Sequence, residues 1–113
     1  MLNQIRKYLI KEFKMKTTFT ARHFEASADL QQYSRDSVEK LEQFYDRIVM
    51  CDIILQPTPA DENPQQAELI VKVPRKILKA KESATTYEQA LHSAVEVISR
   101  QLKKYKEKMH ATH

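Results

Sequence analysis

The 113-residue sequence contains no glycine. Phosphate-binding loops of the P-loop and dinucleotide-binding types depend on glycine, because their backbone turns tightly and approaches the phosphate closely. Nucleotide binding by these routes is therefore excluded. Tryptophan is also absent, and the single cysteine, Cys51, cannot form a disulfide within the chain. One unpaired cysteine is typical of a reducing compartment, so the expected location is the cytoplasm.

Long hydrophobic runs are absent too. No uninterrupted apolar run approaches the roughly 18 residues of a membrane span, so no membrane partner is expected. The apolar positions of Met1–Lys14 are interrupted by Lys11 and Glu12. Neither an apolar signal core nor a small-residue cleavage site follows, which argues against a secretory signal.

The motifs of metal binding and catalysis are missing as well. The four histidines form neither an HExxH motif nor a cluster with cysteine, so neither a metal nor a cofactor is expected. Cys51 and Asp52 are neighbours on a predicted strand and point to opposite faces, so they do not form a dyad. The chain is expected not to be an enzyme, with no catalytic residue and no small-molecule substrate.

What the sequence does contain is an uneven charge distribution. The net charge is +4, but residues 1–16 and 100–113 each carry five basic residues and one acidic residue. Residues 17–99 carry nine basic and thirteen acidic residues. A local basic block within this middle region consists of Lys72, Arg75, Lys76, Lys79 and Lys81. The pattern indicates a polarised surface of the kind that meets a polyanion.

Hydrophobic periodicity predicts the first three elements. Alternation over Lys16–His23 predicts a strand. Ser27 is a suitable N-cap for a helix that runs to about Asp46. The apolar stripe of this helix is predicted to consist of Leu30, Tyr33, Ser37, Val38, Leu41, Tyr45 and Ile48. Ile48–Leu55 is predicted to be the second strand.

The second half of the chain is predicted in the same way. Pro57–Pro64 is a loop by composition, and alternation predicts a third strand over Ala67–Val73, which Pro74 ends. Ile77–Lys81 is predicted to be the fourth strand. Thr85–Glu88 has the spacing of a capping box at the start of the last helix. The stripe of that helix is Tyr87, Ala90, Leu91, Ala94, Val95, Ile98, Leu102 and Tyr105.

The element order is therefore β-α-β-β-β-α. A strand–helix–strand start implies a crossover that places the first two strands in one sheet, and the short later links imply antiparallel neighbours. Each helix has one apolar stripe. The predicted fold class is α+β, a two-layer domain with a four-stranded sheet and two helices on one face.

The segment Arg100–Lys108 carries five basic residues and one acidic residue on the last helix. One explanation is a solvated helix terminus, because cations complement the dipole there; the other is a phosphate-binding surface. Aromatic residues could stack on bases. The tyrosines of the two stripes, however, are predicted to lie in the core: Tyr33, Tyr45, Tyr87 and Tyr105.

Two stretches resemble the ribosome hibernation promoting factor family, which includes the ribosome-associated inhibitor and protein Y. The first is HFEASADL at 23–30 with VEKLEQFYDRI at 38–48; the second is TTYEQAL at 85–91 with RQLKKYKEK at 100–108. The resemblance spans about Lys16 to Lys108 and agrees with the predicted element order. It implies a non-enzymatic, stress- or stationary-phase regulator that inhibits translation by occupying the mRNA and tRNA channel of the small ribosomal subunit.

The resemblance also implies the partners and the contact residues. The partners would be the 30S subunit with its 16S rRNA, and the 70S ribosome, and the free protein would be a monomer. The implied rRNA-binding residues are Lys79 and Lys81 on the fourth strand, and Lys40 and Arg47 at the first-helix positions. On the last helix they are Arg100, Lys103, Lys104, Lys106 and Lys108.

The chain departs from the family at its two termini. The family domain is expected over residues 15–108, because Met15 resembles the usual start. Residues 1–14 are then either a start-site artefact, which is slightly favoured, or an added basic arm. Residues 109–113 are expected to be a short tail. Because the chain stops at His113, dimerisation through the C-terminal domain of long members is not expected.

Two other functions compete with this hypothesis. A general double-stranded RNA-binding module would also use a helix-covered sheet and basic helix ends. A protein-interaction domain, or an enzyme of unrecognised type, is the third possibility. Salt sensitivity and a preference for small subunits over free duplex RNA would separate them.

Overall fold

The computed structural model describes residues 14–111, and the predicted element order and fold class are confirmed. The elements are β1 (Lys16–Ala21), α1 (Ala28–Glu39), a short 3₁₀ helix (Lys40–Gln43), β2 (Met50–Pro57), β3 (Gln65–Val73), β4 (Lys76–Ala84) and α2 (Tyr87–Ala111). Expectations about residues 1–13, and about the last two residues of the tail, lie outside the described residues. Within the described part, no helix is long and apolar enough to cross a membrane.

The four strands form one sheet in the order β1-β2-β3-β4. β1 and β2 are parallel, with Phe19 opposite Ile53, as the strand–helix–strand start predicts. β2 pairs with β3, and β3 with β4, in antiparallel orientation. β1 and β4 are therefore the two edges of the sheet, and β4 is the edge beside which α2 packs.

The core lies between the sheet and the two helices. Alternation along β2 buries Cys51, Ile53 and Leu55 completely on the helix side, as a period of two requires. From α2, Leu91 and Leu102 are equally buried. Burial raises the pKa of the Cys51 thiol to about 12, and the nearby Asp52 adds to this effect. The thiol is therefore neutral at physiological pH and has the character of a small core side chain.

Both helices run in the same direction, opposite to β1, β2 and β4. Their N-termini therefore lie at the same end of the domain as loop 58–64, and this end is called the acidic end below. It carries one basic residue, Arg22, and five acidic residues: Glu25, Asp29, Asp61, Glu62 and Glu88. The opposite end, called the basic end below, consists of residues 40–49, the turn Pro74–Arg75 and the last three turns of α2.

Several predicted boundaries are wrong. α1 ends at Glu39 and continues only as the 3₁₀ helix, whereas a helix to Asp46 was predicted. β1 ends at Ala21, β2 begins two residues later than predicted, and β4 extends to Ala84. Such ends depend on tertiary contacts that the periodicity does not contain.

The stripe of α1 is also shifted from the prediction. Tyr33 is 42% exposed, and Ser34 is fully buried in its place. Ser34 can be buried because its hydroxyl donates to the carbonyl of Leu30, at 2.8 Å, so that no polar group is left unsatisfied. The N-cap Ser27 is confirmed, since its hydroxyl accepts from the backbone N–H of Leu30.

The predicted capping box of α2 is displaced by one residue. Thr86, and not Thr85, accepts the backbone N–H of Gln89 through its hydroxyl, at 3.1 Å. Thr85 instead donates its hydroxyl to the side-chain oxygen of Gln89. Both threonines have a suitable partner three residues later, so the sequence pattern fits either N-cap.

Candidate nucleic-acid interface

The last three turns of α2 place five basic side chains outside a buried apolar seam. Leu102 is fully buried and Tyr105 is only 7% exposed, as predicted for the end of the stripe. The basic residues between and around them are all exposed: Arg100, Lys103, Lys104, Lys106 and Lys108. Burial of the seam fixes which way each lysine points, because neighbouring helix positions differ by about 100°.

The first basic surface is a groove of about 270 Å³ between β4 and α2, called the β4–α2 groove. Its lining residues are Lys76, Ile77, Leu78, Lys79, Gln101, Lys104, Tyr105 and Lys108. Because β4 is an edge strand, the carbonyl of Lys79 points away from the sheet, and it accepts the Gln101 side-chain amide at 3.2 Å. This bond joins strand to helix and sets the width of the groove.

Four lysines contribute to the lining of this groove: Lys76, Lys79, Lys104 and Lys108. Lys79 meets Gln101 through its backbone carbonyl, and its side chain leaves the strand on the face opposite the buried Leu78 and Ala80. Within residues 14–111 the structure shows no ion pair at any of the four. Their charges are therefore not neutralised by any side chain in this part of the protein. A row of unneutralised lysines along a narrow groove suits the phosphates of a nucleic-acid strand.

Tyr105 holds the neighbouring turn in place. Its hydroxyl donates to the carbonyl of Pro74, and its ring packs edge-on against Tyr45 with centroids 5.4 Å apart. Arg75, the next residue of the turn, has a φ of 70°, a region in which non-glycine residues are strained. Burial and the adjacent Tyr105 raise the pKa of Tyr45, so the Tyr45 phenol stays uncharged at neutral pH.

The second basic surface lies on the other side of α2 and is called the Phe44 groove. It has a volume of about 640 Å³ and is lined by Gln43, Phe44, Lys103, Lys106, Glu107 and His110. The Lys103 ammonium lies over the Phe44 ring, 4.9 Å from its centroid, a cation–π contact. Lys106 also borders an adjoining cavity of about 410 Å³ with Tyr45 and Arg47.

The structure therefore assigns the nine predicted contact residues to different surfaces. Lys79, Lys104 and Lys108 share the β4–α2 groove. Lys103 and Lys106 share the Phe44 groove, and Arg47 lies in the cavity beside it. The remaining three lie apart from these cavities: Lys40 in a groove between α1 and α2, Lys81 further along β4, and Arg100 on the exposed side of α2.

Sequence reasoning missed several lining residues. Lys76 belongs to the basic block of the sequence, but it is not among the predicted contact residues. Gln101 and Gln43 carry no charge and gave no signal. Phe44 stands inside the motif KLEQFYD, and its place beside Lys103 depends on how the 3₁₀ helix meets α2.

No metal-binding cluster accompanies these grooves in the described part of the chain. Residues 14–111 contain no group of three or more His, Cys, Asp or Glu side chains able to hold a metal ion. His92 pairs with Glu96 one turn later at 2.6 Å on the exposed side of α2. The described residues around these grooves therefore have the character of a basic binding surface.

The fold and the grooves thus define a small α+β binding domain with its positive charge at one end. The family described as sigma 54 modulation protein / S30EA ribosomal protein matches residues 17–110. The chain belongs to this family of ribosome-associated factors, which is not known as a family of enzymes. The resemblance to the hibernation promoting factor family is thereby confirmed.

Two solved structures share the fold. The N-terminal domain of Thermus thermophilus Protein Y is 18% identical, with a TM-score of 0.70; the alignment covers 81% of this chain and 99% of that one. A ribosomal subunit interface protein from Coxiella burnetii is also 18% identical, with a TM-score of 0.74, covering 82% and 99%. No curated protein sequence matches the chain significantly.

Proposed function

We propose that this protein is a cytoplasmic translation inhibitor that binds the small ribosomal subunit and occupies the channel where mRNA and tRNA bind. It thereby promotes ribosome hibernation under stress or in stationary phase, acting as a monomer on the 16S rRNA of the 30S subunit and on the 70S ribosome. The observation that carries this proposal is the convergence of lysines from separate segments on two grooves beside one helix end.

The alternative explanation, a solvated helix terminus, accounts for only part of this charge. The helix dipole favours cations within the last turn, which here contains Lys108 and His110. It gives no reason for Lys76 and Lys79 on β4, or for Arg47 before β2. Lysines brought together from different elements repel one another, so their grouping is best explained by a shared polyanionic ligand.

Co-sedimentation with purified small subunits at graded salt tests the proposal. Binding should fall steeply with salt, because neutralised phosphates release counterions. Lys104→Glu should weaken binding about tenfold or more and lower the salt slope by about 1. Arg22→Glu makes the same charge change at the acidic end and should leave binding within about twofold. Equal effects of the two reversals would show that net charge alone drives binding.

Competition separates the proposal from a general double-stranded RNA-binding module. A protein in the decoding channel should be displaced by bound mRNA and tRNA, and it should prefer small subunits to free duplex RNA by a wide margin. A duplex-binding module would compete equally well for any A-form helix, since it reads shape and backbone. Equal affinity for free duplex and subunits would therefore favour the module.

A further inference from the structure

Phe44 is an aromatic side chain placed on a charged surface. One part of the ring packs against the core, while the remainder forms part of the Phe44 groove beneath the Lys103 ammonium. The β4–α2 groove differs, because its only aromatic residue is Tyr105, which is buried and bonded through its hydroxyl to Pro74. Phosphate contacts alone require no aromatic surface, so the two grooves suit different parts of an RNA strand.

The other residues of the Phe44 groove match the edge and the flanking phosphates of a nucleobase. The Gln43 amide can both donate and accept hydrogen bonds. The Glu107 carboxylate can accept from an exocyclic amino group, and it disfavours a phosphate in its immediate vicinity. Lys103 and Lys106 line the same groove as the ring, so both cations are available to phosphates on either side of a stacked base. Stacking on an aromatic ring with adjacent cations is a common way to bind single-stranded RNA.

We propose that the Phe44 groove binds one unpaired nucleobase of single-stranded RNA, stacked on Phe44, while Lys103 and Lys106 contact its flanking phosphates. The inference deepens the proposed function and rests on it, since it assigns an unpaired nucleotide, beyond phosphate contacts, to the rRNA surface. In the free protein the Lys103 ammonium covers the ring. On binding, the base replaces the ammonium, whose flexible stem lets it move to a phosphate.

The described part of the chain supplies a matched control in Phe24. Like Phe44, this residue is a partly buried phenylalanine that packs against the core, but it lies at the acidic end, where it stacks on Tyr87. Loss of its ring should therefore not affect a base bound at Phe44. Tyr33 is exposed but unsuitable, because Gln43 and Phe44 also line its groove. Tyr45 is unsuitable as a control, since its ring packs on Tyr105.

The test uses the full chain and a short single-stranded RNA that contains one 2-aminopurine, whose fluorescence is quenched by stacking. Wild type should quench the probe, and an otherwise identical RNA with an abasic position should bind about tenfold more weakly. Phe44→Leu should lose quenching and about tenfold in affinity, with an unchanged salt slope. Phe44→Tyr should retain both, and Phe24→Leu should match wild type. A thermal unfolding curve confirms that each variant is folded.

Equal affinity and quenching for wild type and Phe44→Leu would overturn the base-binding site, as would equal binding of the abasic RNA. The outcome for the proposed function is read separately, from co-sedimentation of wild type with small subunits. Subunit binding without dependence on Phe44 would refute the base site and leave the proposed function standing. Phe44-dependent quenching without subunit binding would support the base site and refute the proposed function.

Discussion

The acidic end and the basic end of this domain are built from similar parts. Each has an aromatic pair: Phe24 stacks on Tyr87 with centroids 4.5 Å apart at the acidic end, and Tyr45 meets Tyr105 edge-on at the basic end. Each also has one non-glycine residue at positive φ, His23 at 66° and Arg75 at 70°. At both ends, an aromatic pair and a residue at positive φ thus lie where the sheet connects to a helix end.

The two ends differ in charge and in surface shape. The parallel direction of both helices places two helix N-termini at the acidic end, where Asp29 and Glu88 complement the dipoles. Among residues 14–111, charges from α2, the 40–49 segment and the adjoining start of β4 lie around grooves at the basic end. Since the acidic end shows that the fold needs no such cluster, the lysines of the basic end are best explained by binding.

The largest effect is expected from removing one aromatic anchor at each end. Tyr105→Ala should lower the free energy of unfolding by about 3–5 kcal/mol, because it leaves a cavity beside Tyr45. Tyr105→Phe should cost only about 1 kcal/mol, the hydrogen bond to Pro74. Tyr87→Ala, the counterpart at the acidic end, should cost a similar amount to Tyr105→Ala. Denaturant unfolding measures all three.

Small-subunit binding by folded variants distinguishes the basic end from the acidic end further. Tyr105→Phe should weaken small-subunit binding under conditions where it is fully folded, because the turn beside Lys76 loses its tether. Tyr87→Phe, at the acidic end, should leave binding unchanged. Equal binding by the two folded variants would mean that the tether of the turn does not position the β4–α2 groove.

The fold was predictable where one face of an element is buried. Alternation in β3, with Ala67, Leu69 and Val71 fully buried, follows directly from a two-layer architecture. The end of α1 was not predictable in this way. KLEQFYD continues a helical pattern, yet the chain turns into a 3₁₀ helix after Glu39 in order to reach β2. Tertiary contacts override local propensity there.

The candidate site was predictable only in outline. A helical wheel shows that Lys103 and Lys104 are both exposed, but it does not show what lies beside each. In the folded chain Lys104 lies beside β4, and Lys103 lies over the Phe44 ring. Adjacent lysines therefore belong to different grooves, a distinction that depends on long-range packing.

A smaller effect is expected at the two residues with positive φ. Arg75→Gly and His23→Gly should each raise the free energy of unfolding by about 0.5–1 kcal/mol, because relief of left-handed strain exceeds the added entropy of the unfolded chain. Only Arg75→Gly should also reduce RNA binding, since it removes a cation at the basic end. Thermal unfolding and sedimentation measure the two effects. Destabilisation by Arg75→Gly alone would indicate that the arginine side chain itself stabilises the turn.

The smallest effect concerns the charges nearest the ends of α2. Glu88 lies in its first turn and Lys108 in its last, and both are exposed. Glu88→Gln and Lys108→Gln should each lower the free energy of unfolding by about 0.3–1 kcal/mol at low salt, since each removes one charge that complements the dipole. Repeating the unfolding at high salt should shrink both differences, because exposed charges are screened.

The same pair separates stability from binding. If Lys108 only complements the dipole, the two substitutions should be equivalent in every assay. If it also contacts phosphate in the β4–α2 groove, Lys108→Gln should reduce small-subunit binding and its salt slope, whereas Glu88→Gln should leave both unchanged. Matched losses of stability with unmatched losses of binding would assign the basic end to recognition. If the two variants lose the same stability and the same binding affinity, Lys108 is a solvated residue of the helix terminus and not a phosphate contact.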